Sequence, residues 1–271
     1  MRQSVFDLRE FYASPLGAAA RAMVSRKVAE VWGDGVGLDV LALGYATPFI
    51  TGVNERARRV VAAMPAGQGV EAWPAGERNR ACLVDDSALP LPNALFDRVL
   101  LVHALEECDN PVAVLREVCR VLAPSGRVIL AVTARHGPWA NAEGSPFGHG
   151  RPFSRRQLED LVAEVDLTPV GWTRALYAPP LGWTARWAEG FEQVGSVLWA
   201  PFAGVILMEA VKQTFAVRPK GRVARAPARA RAVLAPVGGQ SARGSLDGQG
   251  LDAIGSVRAM QDTPFSKERA P

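Results

Sequence analysis

Residues 81–133, ACLVDDSALPLPNALFDRVLLVHALEECDNPVAVLREVCRVLAPSGRVILAVT, constrain the fold more than any other stretch, because they read as strand, loop, strand, helix and strand without interruption. After Phe96-Asp97-Arg98 the apolar run 99–102 is too short for a helix and contains no polar residue, the pattern of a central parallel strand covered on both faces. Asp109-Asn110-Pro111 then supplies a capping side chain and a proline suited to the first helical position. Val112, Leu115, Val118, Cys119 and Leu122 follow at helical spacing. Pro124 stops this helix, Gly126 turns the chain, and residues 127–133 form the next buried strand.

These residues also carry a resemblance. Asp85-Asp86, then Leu89-Pro90, then Phe96-Asp97 before an apolar strand, then LREVCRVLAPSG from Leu115 to Gly126 before another, resembles the class I S-adenosylmethionine-dependent methyltransferases, and among them the methyltransferase type 11 domain group. The likeness is best in this stretch and extends with weaker motifs over about residues 6–212. It implies a Rossmann-like α/β sandwich, mostly parallel, with an antiparallel final strand and helices on both faces. It also implies S-adenosyl-L-methionine bound across the carboxyl ends of the strands, where open α/β sheets hold ligands.

The predicted first strand, 37–43, runs into Gly44-Tyr45-Ala46-Thr47-Pro48, the position of a glycine-rich turn followed by a helix N-terminus. The family's turn reads Gly-x-Gly-x-Gly with an acidic residue two positions before it; here that residue is Ala42, and the second and third glycines are Ala46 and Pro48. Asp39 is an odd number of residues from Ala42 and so faces the other side of the strand. The second strand, 58–64, ends at Met64 where the family has a ribose-binding carboxylate, and Glu71 is the nearest acid that reaches inward. The third carboxylate position is kept by Asp85 or Asp86, with Ser87 beside them; an Asp at a loop entry also serves as a plain turn cap. By resemblance, Gly44, Tyr45, Ala46, Met64, Asp85, Asp86, Ser87 and His103 line the cofactor.

His103 stands at the carboxyl end of the central strand, ahead of Glu106 and Glu107. Residues 134–156 are rich in Gly and Pro yet carry Trp139, Phe147, Phe153, His136, His149, Arg135 and Arg151, a long loop of the kind that forms sites. Its aromatics are expected to wall a substrate pocket, with His149 as first choice of base, His103 as second, and Arg151 as an anion clamp. Ser154 caps a helix over 155–165, strands are expected at 167–177 and 204–215, and Trp183, Trp187, Phe191 and Trp199 pack as core or lid. Residues 6–31 read as two helices broken at Pro15-Leu16-Gly17. They either pack at the sheet edge or cover the cofactor, with Tyr12 the residue to watch in the second case.

The expected domains are an N-terminal helical lid or edge, 1–36, the methyltransferase-like domain, 37–215, and a basic, disordered tail, 216–271. The tail holds ten Lys and Arg against four Asp and Glu, a net +6 within a chain total of +4, so the rest carries two net negative charges. A nucleic-acid enzyme would more often have a basic body as well, so a small-molecule acceptor is favoured over RNA reached through the tail. Three cysteines without a CxxC pair argue against a disulfide framework or a metal site and for a reducing cytoplasm. The longest apolar window, 194–208, is broken by Pro201 and Gly204, and no membrane span is expected. Two functions follow: methyl transfer, or a non-catalytic protein that keeps the fold and binds a ligand or partner, as the eroded Ala42, Ala46, Pro48 and Met64 set favours.

Overall fold

Alternate residues of each central strand point to opposite faces, and both faces are apolar here. Val40 and Ala42 of β1 (Asp39–Gly44) and Leu100 and Val102 of β4 (Phe96–Val102) join one core layer; Leu41, Leu43, Val99 and Leu101 join the other. In this computed structural model, which describes residues 2–33, 35–182, 184, 190 and 203–213, those two layers are covered by different helices. The first takes α1 (Val5–Ala13) and α2 (Pro15–Trp32) through Leu8, Tyr12, Met23, Val24 and Val28. The second takes α4 (Pro111–Val121) and α5 (Arg155–Glu164) through Leu115, Val118, Leu158 and Val162.

The remaining elements are the single-turn α3 (Thr51–Asn54) and the strands β2 (Arg59–Pro65), β3 (Ala81–Val84), β5 (Leu122–Thr133), β6 (Leu167–Ala175) and β7 (Val205–Lys212). The sheet order is β3-β2-β1-β4-β5-β7-β6. β1 to β5 are parallel, whereas β7 runs antiparallel to both β5 and β6. This is the sandwich expected from the sequence, antiparallel final strand included.

Local chemistry accounts for the boundaries. Asn110 accepts from the Ala113 N–H at 3.1 Å with Pro111 at the first helical position, and Ser154 and Gln157 form a reciprocal capping box on α5. β5 begins earlier than the predicted residue 127: Leu122 already pairs with Phe96, and the register resumes at Arg98 with Arg127, so Pro124, Ser125 and Gly126 form an irregularity within the strand. Asp39 lies at the amino end of β1, away from the ligand side. Its carboxylate is paired with Arg58, whose hydrogen bond lowers the carboxyl pKa.

One compact unit spans Met1–Arg218. Trp183, Trp187, Phe191, Trp199 and the basic tail, 216–271, lie outside the described residues. No helix among the described residues is long and apolar enough to cross a membrane.

Candidate cofactor and acceptor site

The turn after β1 folds against its own neighbour. Gly44 has φ +82°, and a Cβ there would sit 2.3 Å from the Val102 carbonyl oxygen, while the Tyr45 N–H donates to that same oxygen at 2.9 Å. The one remaining glycine is therefore required by a close approach to β4. The helix expected next is replaced by a 3-10 turn, Thr47–Phe49, and the single-turn α3, so no long helix aims its N-terminus at the crevice. Pro48 starts the turn, but Thr51-Gly52-Val53-Asn54 are poor helix formers and cannot extend it.

Tyr45 is turned into the protein. Its ring is buried, stacks on Tyr12 with centroids 5.8 Å apart, and its hydroxyl donates to Glu71 at 3.0 Å. Burial, ahead of the Glu71 charge, raises the phenol's pKa. Glu71 thus does reach inward, to Tyr45. Ala42, Ala46 and Met64 are fully buried members of the core.

The opposite end of the crevice is open. A cavity of about 520 Å³ lies where β2 and β3 end, against the loop from β4 to α4, lined by Arg2, Ala66, Asp85, Asp86, Glu107 and Asn110 among others. Asp85 accepts from both the N–H and the hydroxyl of Ser87, at 2.9 and 2.6 Å, which makes it a turn cap and lowers its pKa. Asp86 is ion-paired with Arg2.

Arg2 belongs to a segment that crosses the strand ends. The Gln3 N–H donates to Glu107, the Val5 N–H donates to the Gln68 carbonyl at 2.8 Å, and the Tyr12 hydroxyl meets His103 Nε2 at 2.6 Å. This places α1 over the carboxyl ends of β2, β3 and β4, whereas α2 packs on the sheet face. Tyr12 was marked in the sequence as the residue to watch if the N-terminal helices cover the cofactor. Arg2, Gln3 and Gln68 were not, because their partners are 84, 104 and 35 residues away and no local pattern marks them.

His103 is buried with φ +50°, an uncommon conformation at a strand end. Gln68 donates to its carbonyl, Phe147 lies 4.9 Å from its ring, and desolvation pushes its pKa down to about 3, so the imidazole is neutral. Glu106 is also buried. It accepts from the Thr133 N–H at 3.0 Å, and burial pushes its pKa up to about 7.

The 134–156 loop departs from expectation. Trp139, Phe147 and Phe153 are 0%, 3% and 7% exposed and pack into the core instead of walling an open pocket. The Trp139 indole N–H donates to the Ala178 carbonyl at 2.8 Å, and a Cβ on Gly204 would sit 2.3 Å from its ring. His136 is exposed. His149, also exposed, sits at the rim with Nδ1 3.1 Å from both the Ser145 carbonyl and the Gln3 amide. Arg151 donates to the Cys108 carbonyl at 2.8 Å and its backbone N–H to that of Glu106, so it ties two loops together. The structure brings His103, Tyr12 and Tyr45 into one buried cluster and leaves His149 and Arg151 outside it.

A sheet in this order, with helices on both faces and an acidic cavity at the strand ends, defines the Rossmann-like class I methyltransferase fold. Residues 33–130 match the family model described as a methyltransferase domain, Methyltransf_11. Among solved structures, an S-adenosylmethionine-dependent methyltransferase of Thermotoga maritima, titled a possible histamine N-methyltransferase, superposes with a TM-score of 0.52. It is 17% identical over 77% of this chain and 96% of its own. An S-adenosylmethionine-dependent methyltransferase of Mesorhizobium loti gives 0.50 and 14% identity over 69% and 96%. The uncharacterized protein Rv2003c of Mycobacterium tuberculosis is 29% identical over 113 residues, 38% of this chain. The match spans 40% of that relative's length.

Proposed function

We propose that the chain is an S-adenosylmethionine-dependent methyltransferase acting on a small-molecule acceptor in the cytoplasm. The observation that carries this reading is the position of the cavity: it opens at the carboxyl ends of β2 and β3 and along the loop between β4 and α4, beside Asp85 and Asp86, with Arg2 at its wall. Its acceptors suit the nucleoside end of the cofactor, with Asp85, Asp86 and Ser87 in reach. When bound, the cofactor supplies an already activated methyl group, which leaves the protein to bind, align and exclude water. His103, held neutral by burial, is too weak a base to take a proton from the acceptor; its Nε2, now 2.6 Å from the Tyr12 hydroxyl, serves to accept a hydrogen bond and orient. Cys82, Cys108 and Cys119 are all free thiols, in keeping with a reducing compartment.

The methionyl and ribose positions fit less well. Ala42 and Met64 offer no carboxylate, and Tyr45 and Tyr12 fill the ends of β1 and β4. At about 1–3 kcal/mol for each missing polar contact, two absent acids weaken binding by roughly one to four decades. That observation favours the second reading, a non-catalytic protein that binds a nucleoside-like ligand in the Asp85 cavity. Calorimetry on the full chain with S-adenosylmethionine and S-adenosylhomocysteine decides between them. Micromolar binding is expected; silence at millimolar cofactor sinks the methyltransferase reading.

A further inference from the structure

A phenol already sits in the buried crevice with its hydroxyl on His103, and it belongs to the protein. Tyr12 is 5% exposed; its ring lies flat on Tyr45 at 17°, edge-on to Phe49 at 5.3 Å, and its hydroxyl lies 2.6 Å from His103 Nε2. A neutral imidazole has a single acceptor nitrogen, so a hydroxyl at this distance is the natural partner, and the rings around it form an aromatic slot one residue wide. His103 is held in its left-handed conformation by the Gln68 amide and the turn around Gly44, both on the body and not on α1. The slot is therefore organised by the sheet, and Tyr12 is what fills it.

We propose that Tyr12 is a resident stand-in and that the slot takes a phenolic small molecule, whose hydroxyl donates to His103 Nε2 once Tyr12 leaves. Two features of the seated segment favour exchange. Arg2 Nη1 and Gln3 Oε1 are buried in it without a hydrogen-bond partner, a penalty relieved when the segment meets water. Its polar ties, Arg2 to Asp86, Gln3 to Glu107 and His149, and Val5 to Gln68, lie at the rim of an existing cavity, while Val5 and Leu8 are the apolar anchors that must be given up when it lifts. The catalytic meaning of the slot, that it presents the methyl acceptor, rests on the methyltransferase reading; the binding does not.

The test uses p-cresol, the tyrosine side chain cut free, against 4-methylanisole, which has a similar ring but no hydroxyl proton. Both are titrated into the full-length wild-type chain with nitrogen-15 histidine labels, and calorimetry with S-adenosylhomocysteine is run separately. Saturable p-cresol binding that shifts the His103 ring nitrogens is expected, with the anisole at least about tenfold weaker because it leaves the imidazole acceptor unpaired. Tyr12→Ala is expected to tighten p-cresol about tenfold or more, and His103→Leu, which offers no acceptor, to erase the preference over the anisole. The idea is overturned if wild type takes up no p-cresol at millimolar concentration while Tyr12→Ala does, since Tyr12 is then a fixed core residue. It is equally overturned if both ligands bind alike. Should Tyr12→Ala fail to fold, the wild-type titration alone decides. Phenol binding without S-adenosylhomocysteine binding keeps the slot and removes the methyltransferase reading, so the two fail separately.

Discussion

Two buried titratable groups under α1 pull the stability in opposite directions, and separating them tests the description of the crevice. His103 has its pKa lowered from 6.5 to about 3, so its contribution to stability is present above the ordinary value and is lost as pH falls toward 3. Glu106 has its pKa raised from 4.5 to about 7, so its contribution is present below the ordinary value and is lost as pH rises through 7. Between pH 7 and pH 4, keeping His103 neutral against its ordinary affinity for a proton removes about 3 kcal/mol, at about 1.4 kcal/mol per pKa unit. Over the same interval Glu106 returns about 3 kcal/mol, because it no longer has to ionise in the core. The wild-type chain therefore gets almost no net pH dependence from the pair, and single variants unmask each half. Urea unfolding at pH 7 and pH 4, followed by tryptophan fluorescence, supplies four values for each variant and wild-type pair. Relative to wild type, His103→Gln gains about 3 kcal/mol on going to pH 4 and Glu106→Gln loses about 3. Taking the difference from wild type cancels other acids that titrate in this range, such as Asp39 and Glu117. If His103→Gln and wild type change in parallel between the two pH values, His103 is not buried as described and the closed crevice is wrong.

Three further outcomes follow from single contacts. Gly44→Ala combines a φ of +82° with a Cβ 2.3 Å from the Val102 oxygen, and is expected to lower the unfolding free energy by about 3 kcal/mol or more; an unchanged urea midpoint contradicts the turn geometry. Trp139→Phe leaves the Ala178 carbonyl without its indole donor and is expected to destabilise by about 1–3 kcal/mol, whereas a loss confined to catalysis or ligand affinity restores the pocket-wall role for this loop. Asp85→Ala is expected to weaken S-adenosylhomocysteine about tenfold or more in calorimetry, and Asp85→Asn, which keeps an oxygen for the Ser87 turn cap, to weaken it as well with the urea midpoint unchanged; equal affinity removes Asp85 from the nucleoside end.

What the sequence determined by itself was the scaffold. The apolar run in β4, the Asn110-Pro111 start of α4 and the Ser154 cap of α5 are local signals, set by propensity, capping and burial period within a few residues, and each element appears where those signals place it. The ordered Asp85-Asp86, Leu89-Pro90, Phe96-Asp97 series was likewise sufficient to indicate the family. The occupancy of the crevice was decided only in three dimensions. Nothing near Tyr12 announces His103, 91 positions away, and nothing near Arg2 announces Asp86; side chains so far apart in sequence meet only after the sheet has ordered its strands. The aromatic loop shows the same limit. Trp139 and Phe147 look alike in sequence whether they wall a pocket or fill a core, and the Ala178 carbonyl together with the bare Cα of Gly204 settled that they fill it.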